Sequence, residues 1–502
     1  MERRKFVGSL PLVIGGAFAL SAKDTWAQTQ SSTVATVRNF GAIGNGTTDD
    51  TAAFNAAGAA GVGAVPPGTY LIATTTNMAF QLDFLPGASL IVPAGVTLTL
   101  SGGVTANETQ AIFNVAGTLN GLSRASVRWF GATGNGATDD TAAIQGTVNA
   151  LSSPSGTSIY LPAGRYNISA AVNITASNVT FFGDGLNSTV LSVTKTTVGA
   201  LNMTGSWCLC YGFQIAYPSQ GESQPAISST GNGCEFHSFV IANCFGGVYV
   251  SNGSAQFFHD FQILDYLSFG FQFANVNDVY LNQFIMNAGN TTNGSLGGLY
   301  FFEKSEAIVV DNGDILFGSY STYCNVAKYG FGTTPAYCRF TNVYFDSSAN
   351  GAEFNGCRDF TFTNCWFSNR PGSGCAIAPL LTCDGMTFVG CTFANSGGHG
   401  CIVSSNAINT SFSTCKFISN NTQNSGCNGL SIGSNTTDFV ISSCVAYNGM
   451  SISGLQGYGI FVASGVSNHY IVTGNKANGN AVGGIADGGT GTDKIVTNNI
   501  SS

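Results

Sequence analysis

Charge is what this 502-residue chain has least of: Asp, Glu, Lys and Arg make up only 8% of it, with 17 basic side chains against 25 acidic. The basic residues form no cluster and the net charge is −8, so the surface repels phosphates and a nucleic-acid partner is excluded. No Cys-x-x-Cys pair occurs, which removes a zinc knuckle, and no heptad pattern points to a coiled coil. No apolar run approaches the roughly 20 residues of a comfortable membrane helix. What stands in place of charge is Gly, at 66 residues, together with abundant Asn, Ser and Thr. These suit a chain that turns at many corners, where Gly and Asn tolerate left-handed backbone. A hydrophobic content of 44%, with 12% aromatic, fills a long core and argues against disorder.

The first 27 residues read as an export signal. Arg3-Arg4-Lys5-Phe6 precedes an apolar run over 7–22 that Pro11 and several glycines interrupt, and Ala27 offers a small residue for cleavage. The Arg-Arg-x-Phe core is similar to a twin-arginine signal, although Glu2 replaces the usual Ser or Thr. Residues 1–27 hold four basic and two acidic side chains, so the remainder carries 13 against 23, a net charge of −10. Export places the protein in the periplasm or outside the cell, with no membrane span in the processed chain.

One segment repeats. Val-Arg-Asn-Phe-Gly-Ala-Ile-Gly-Asn-Gly-Thr-Thr-Asp-Asp-Thr at 37–51 returns 90 residues later, at 127–141, as Val-Arg-Trp-Phe-Gly-Ala-Thr-Gly-Asn-Gly-Ala-Thr-Asp-Asp-Thr. Each copy leads into an Ala-rich helix and then a Pro/Gly/Tyr strand start, Pro67-Gly68-Thr69-Tyr70 and Leu161-Pro162-Ala163-Gly164-Arg165-Tyr166. The four acids Asp49, Asp50, Asp139 and Asp140 read as structural, accepting hydrogen bonds at the positive end of a short helix. Taken with Gly183-Asp184-Gly185, these blocks resemble the opening of the rhamnogalacturonase, epimerase and pectate-lyase-like right-handed parallel β-helices, a group that includes phage tailspikes. The resemblance spans about residues 36–195. It implies an all-β, right-handed single-stranded parallel β-helix with short N-terminal capping helices. We divide the chain into the signal at 1–27, an N-terminal half-module at 28–125 and the main β-helix at 126–502.

From residue 232 onward, strands recur every 22 to 31 residues, the period of a solenoid whose rungs lie about 4.8 Å apart. Cys365, Cys391, Cys415 and Cys444 occupy similar strand positions at spacings of 26, 24 and 29 residues. They read as small buried hydrophobes stacked rung over rung, not as disulfides or metal ligands.

Acids and aromatics gather between residues 256 and 353. A glycosidase needs one protonated and one ionised carboxyl group, about 5 Å apart for retention or about 6.5–9.5 Å for inversion. Superposing the strands puts Asp265, Asn287, Phe317, Asp346 and Ser368 in one column, with Asp311 and Asp314 on the rung before Asp346. The expected acid cluster is therefore Asp311, Asp314 and Asp346, with Glu353 or Glu303 as outer members, and Tyr320, Tyr344, Trp366 and Arg339 as sugar-binding neighbours. The bland reading makes these acids turn caps or ion-pair partners of Lys304, Lys328, Arg339 and Arg358.

Polygalacturonases carry a Gly-His-Gly after acidic pairs on the two preceding rungs. Here Gly398-His399-Gly400 follows Ser348-Ala349-Asn350 and Gly372-Ser373-Gly374, so that mechanism does not transfer and His399 is a corner residue. Lyases of this shape use a basic side chain, with calcium or a carboxylate as neutraliser. His259-Asp260 with Arg339 or Lys328 is the weaker reading on that side. The epimerases' Tyr-Gly-x-Asp-Pro-His segment is absent. The sequence thus points to an exported enzyme cleaving a polysaccharide, by hydrolysis or elimination, without a cofactor unless calcium serves a lyase, and acting as a monomer or homotrimer. The competing reading is a non-catalytic carbohydrate-binding or envelope-structural β-helix.

Overall fold

A computed structural model describes residues 34–501, apart from 152–155, 221–222, 291–292, 294, 326–333, 369–371, 379, 424–425 and 450–454. Residues 1–27, expected to be an export signal, and Lys328 lie outside the described residues. From Arg124 to Ser501, 36 strands wind as one continuous system of parallel ladders, each strand hydrogen-bonded to its counterpart one turn earlier and one turn later. Residues 45–120 make three smaller parallel sheets of four, three and three strands.

The two copies of the repeated segment fold alike. Arg38 Nε donates to the Tyr70 hydroxyl at 3.0 Å and its Nη2 to the Pro67 carbonyl at 2.9 Å. Arg128 does the same to Tyr166, at 3.2 Å, and to Ala163, at 2.8 Å. Gly44 and Gly134, with φ of +68° and +57°, lie against those tyrosine rings, where a Cβ would come within 2.6 and 2.9 Å of them. The helices Thr51–Ala59 and Thr141–Ala150 follow. Their preceding acids divide the work in a way the N-cap rule did not anticipate. Asp49 and Asp139 accept from the first helical N–H, of Thr51 and Thr141, at 3.0 Å each. Asp50 and Asp140, the capping residues, turn back instead. They accept from the backbone of Ile43 and Gly44 (2.7 and 3.2 Å) and of Thr133 and Gly134 (2.7 and 3.1 Å), tying the Gly-rich turn to the helix start.

Each later rung presents three strand segments, and single left-handed residues make the corners. Ser238, Asp260, Gln283, Asn312, Asn342, Asn364, Thr414 and Ser443 all have φ between 50° and 56° and occupy one such corner, rung after rung. Such residues cost little when the side chain is short and polar, which is why Asn, Ser and Asp hold six of these eight corners. For clarity we name the flank before this corner A, the flank after it B, and the third flank C.

The core is a pair of phenylalanine stacks. On flank A, Phe340, Phe362, Phe388 and Phe412 stack at 4.6, 4.7 and 4.9 Å between centroids. On flank B, Phe345, Phe367, Phe393 and Phe417 stack at 4.8, 4.8 and 5.0 Å. The two stacks meet edge to face, as in Phe362 with Phe367 at 5.7 Å and 67°. Rung spacing matches the preferred separation of offset rings, so one side chain per turn gains both burial and ring contact.

The column just past the A–B corner shows how this interior tolerates changes of chemistry. Phe239, Phe261 and Phe284 stack at 5.1 and 5.2 Å. Gly313 then leaves room for the Phe284 ring, since a Cβ there would lie 2.2 Å from it. Farther along, Cys365, Cys391, Cys415 and Cys444 take over, each thiol donating to a backbone carbonyl of the previous rung at 3.4–3.6 Å. Asn475 and Asn499 finish the column, with side-chain amides donating to the Ile441 and Val472 carbonyls at 3.0 and 2.9 Å. Fourteen of the 15 cysteines are buried thiols outside any disulfide, and Cys427 is partly exposed. A thiol reagent is therefore expected to modify at most one cysteine rapidly in the native protein and all 15 in denaturant. Several fast-reacting thiols, or fewer than 15 on unfolding, would contradict this picture.

Candidate active site

The structure divides the expected acid cluster between two flanks. The strand Val309–Leu316 turns the A–B corner at Asn312, so Asp311 pairs with Thr341 on flank A while Asp314 pairs with Tyr344 on flank B. The expected column also slips by one residue. Asn287, Leu316, Asp346 and Ser368 are in register with Leu264, not Asp265. Asp265 and Phe317 are themselves left-handed corner residues, with φ of 55° and 61°, and lie just beyond the strand ends.

On flank B four of the expected residues do come together. Asp314, Tyr344 and Trp366 are successive members of one outward column, and Asp346 stands one rung from Asp314 and two residues along. The rings of Tyr344 and Trp366 stack at 6.2 Å, and Tyr344 is 50% exposed. A cleft of about 490 Å³ is lined by Tyr344, Asp346, Ser347, Trp366, Ser368 and Asn395. Asp346 accepts one hydrogen bond, from the Ser347 hydroxyl at 3.2 Å. Asp314 has no hydrogen-bond or ion-pair partner among the described residues. Partial burial, and then the like charge of Asp346, hold its carboxyl above the ordinary range.

Glu353 belongs to flank C, in register with Tyr323. Burial raises its proton affinity, and Asn355 donates to it at 3.3 Å. Tyr320 stacks on Tyr323 at 4.5 Å, its own hydroxyl made less acidic by burial and by Glu353. Glu353 and Tyr320 are thus neighbours of each other but not of Asp314 and Asp346. Glu303 is a left-handed corner residue, φ 60°. Arg339 lies on flank A, in register with Val309 and Thr361. His399 is a corner residue: its Nδ1 accepts from the Asn428 N–H at 2.9 Å, and burial lowers its proton affinity.

A second titratable group stands on flank A. His259 Nε2 is 3.0 Å from Glu235 and Nδ1 is 2.8 Å from Asp260. Burial alone would push this imidazole down, but the two carboxylates outweigh it and hold it above its ordinary value. A histidine whose proton is bound more tightly when folded stabilises the fold at low pH, and loses that contribution as pH rises through the raised value. This contribution is therefore expected to shrink across the neutral range, so that the difference in melting temperature between the native protein and His259→Gln narrows as pH rises. A difference that does not change with pH would show that the ion pairs are too solvated to matter.

Among the described residues, no three or more His, Cys, Asp or Glu side chains converge as a metal-binding group. Nor is any described helix long and apolar enough to cross a membrane.

Two family models match the chain: "Rhamnogalacturonase A/epimerase, pectate lyase-like" over residues 125–210 and "Right handed beta helix region" over 329–501. The chain carries a pectate-lyase-like segment followed by a right-handed β-helix region. Among curated proteins, this β-helix is 39% identical over 94 residues to mannuronan C5-epimerase AlgE3 of Azotobacter vinelandii, which covers 17% of the chain and 5% of that relative. It is likewise 39% identical over 74 residues to alginate lyase 7 of the same organism, 14% of the chain and 9% of the relative. The match thus spans less than a tenth of either relative. Among solved structures, the β-helix resembles tailspike protein 3 of bacteriophage CBA120, with a TM-score of 0.52, 13% identity, and coverage of 74% of this chain and 59% of that one. It also resembles the catalytic unit of a GH87 α-1,3-glucanase from Streptomyces thermodiastaticus, with a TM-score of 0.51, 16% identity, and coverage of 79% and 70%. At these identities the likeness speaks to the fold.

Proposed function

We propose that this chain cleaves glycosidic bonds of a polysaccharide by hydrolysis, at Asp314 and Asp346 on flank B. The observation that carries the reading is a pair of outward carboxyl groups on consecutive rungs beside a stacked Tyr-Trp wall, one of them holding its proton more tightly through partial burial and then through the like charge of the other. Asp314 is the general acid that protonates the leaving oxygen, and Asp346 the ionised partner that activates water. One rung of about 4.8 Å and two strand residues of about 3.3 Å each separate their backbone positions by roughly 8 Å; carboxyl groups held that far apart would leave room for a water, the inverting arrangement. Tyr344 and Trp366 offer ring faces to the sugar. The names of the relatives, an alginate lyase and mannuronan epimerases, support a polysaccharide as the substrate class. Elimination and epimerisation both need a base at a ring carbon, and among the described residues no Lys, Arg or His lines this cleft. Export, proposed from Arg3-Arg4-Lys5-Phe6 and the apolar run behind it, brings the protein to such a substrate.

The test is to mix the purified protein with alginate, polygalacturonate, α-1,3-glucan and bacterial exopolysaccharides, reading both reducing ends and the absorbance of new double bonds. New reducing ends without absorbance are expected. Absorbance growth would replace hydrolysis by elimination, and binding without either signal would make the protein a carbohydrate-binding β-helix.

A further inference from the structure

Flank A carries a ladder of rings on its outer surface. Tyr160, Phe182, Tyr211, His237 and His259 are in register on successive rungs, with centroids 5.1, 5.4, 4.8 and 4.9 Å apart. Beside it, in the neighbouring outward column, Phe257 stacks on Tyr280 at 4.8 Å and 7°. Inside each ladder, ring faces are covered by their neighbours and unavailable to a ligand. Both ladders stop abruptly, however. His259 is followed by Asn282 and Asp311, and Tyr280 by Val309 and Arg339. The outer face of Tyr280 therefore looks along the coil axis over a short valine, with the Arg339 rung beyond.

This step is a cleft of about 200 Å³ lined by Phe257, His259, Tyr280, Asn282, Val309 and Asp311. Tyr280 is 37% exposed. The Tyr280 hydroxyl, the Asp311 carboxylate and the Arg339 guanidinium have no hydrogen-bond or ion-pair partner among the described residues. The Asn282 carbonyl oxygen accepts from Asn312 at 3.0 Å, and its amide nitrogen donates to no described residue. An open aromatic face thus adjoins one acceptor carboxylate and one amide donor, with the Arg339 guanidinium two rungs along, none of these groups engaged.

We propose that this step binds one pyranose ring of a glycan, seated over Val309 on the outer face of Tyr280, with its hydroxyls shared among Asp311, Asn282 and Arg339. Sugar hydroxyls both donate and accept, which suits an acceptor carboxylate set beside amide and guanidinium donors. The axial C–H face of a pyranose covers an aromatic ring at about the rung spacing, so the sugar takes the position that another ring would hold in the ladder. Tyr280 and Arg339 stand two rungs, about 9.6 Å, apart, enough for one saccharide ring between them. A nucleobase would fit the stack, but its phosphates meet a surface of net negative charge. The choice of a saccharide rests on the polysaccharide reading above; the site itself rests on the ladder's end. Lying across the Asn312 corner from Asp314 and Asp346, it holds glycan near the cleavage site without touching the reacting bond, raising local concentration there.

The experiment is affinity electrophoresis of the full chain in gels containing alginate, polygalacturonate, soluble α-glucan or bacterial exopolysaccharide. At least one is expected to retard the native protein. Tyr280→Ala is expected to weaken that binding about 10-fold, and Arg339→Ala several-fold. Val309→Phe is the decisive variant, because it removes nothing. It extends the Phe257–Tyr280 stack with a protein ring and fills the sugar's place, so it should fold at least as stably and lose retardation. No retardation of the native protein in any gel, or full retardation of a folded Val309→Phe, would overturn the proposal. Cleavage by Asp346→Asn bears only on the hydrolase reading, so the two fail separately.

Discussion

Asp314→Asn is expected to slow polysaccharide cleavage by about 10²–10⁴-fold, the range over which a positioned general acid contributes. The amide keeps the shape and cannot give up a proton, so the loss is in chemistry and not in fold. Stability is expected to move the other way. A carboxyl whose proton is bound more tightly in the folded protein makes the fold less stable as pH rises from the unfolded value through the raised one, and at neutral pH that cost is fully present. Removing the charge should leave the melting temperature unchanged or slightly higher, a combination that marks a functional acid and not a structural one. Asp346→Asn should be at least as damaging to activity, and it also removes the like charge facing Asp314. With burial alone left to raise it, Asp314 should titrate at lower pH, which a carboxyl-resolved NMR titration of the two proteins would read directly. Full activity in either variant would take the pair out of the mechanism. An Asp314 titration indifferent to Asp346 would show that the two are too well screened to act together.

The winding of the chain was legible because its signals are periodic. Gly and Asn at the corners, one apolar side chain per rung and the four regularly spaced cysteines all follow from backbone geometry that repeats. The candidate site was legible only to within a residue and a flank. Nothing in Asp-Asn-Gly-Asp at 311–314 announces that Asn312 is left-handed, yet that single residue puts Asp311 and Asp314 on different faces. The same blindness displaced Asp265 and Phe317 from the column in which Asn287 and Asp346 stand: a strand that ends one residue early looks identical in sequence. Asp50 and Asp140 show a related gap, since an acid before a helix is an expected cap, and only three dimensions reveal that it ties down the preceding turn instead. The outer ring ladder was readable in principle. Tyr160, Phe182, Tyr211, His237 and His259 follow one another at 22, 29, 26 and 22 residues, the solenoid period, but two of its members are histidines and look like chemistry instead of packing.

Phe362→Ala is expected to cost about 3–5 kcal/mol, the largest stability effect of any single substitution considered. Phe362 is fully buried and stacked on both faces, by Phe340 at 4.6 Å and Phe388 at 4.7 Å, while its edges meet Phe345, Phe354 and Phe367. Truncation therefore breaks two stacking contacts and leaves a cavity. The backbone ladders on either side hold that cavity open, because a rung cannot collapse without losing register with both neighbours. The loss should also be local. In a solenoid each turn touches only the next, so destabilisation decays along the coil and does not spread through one shared core. Hydrogen exchange is expected to quicken in the rungs around 340–412 and to stay slow in those around 159–215. Thr363→Ala, one position along and facing outward, should change stability by less than about 0.5 kcal/mol. A cost for Phe362→Ala below about 1 kcal/mol, or protection lost equally at both ends of the coil, would mean that the phenylalanine stacks do not carry the stability of these rungs.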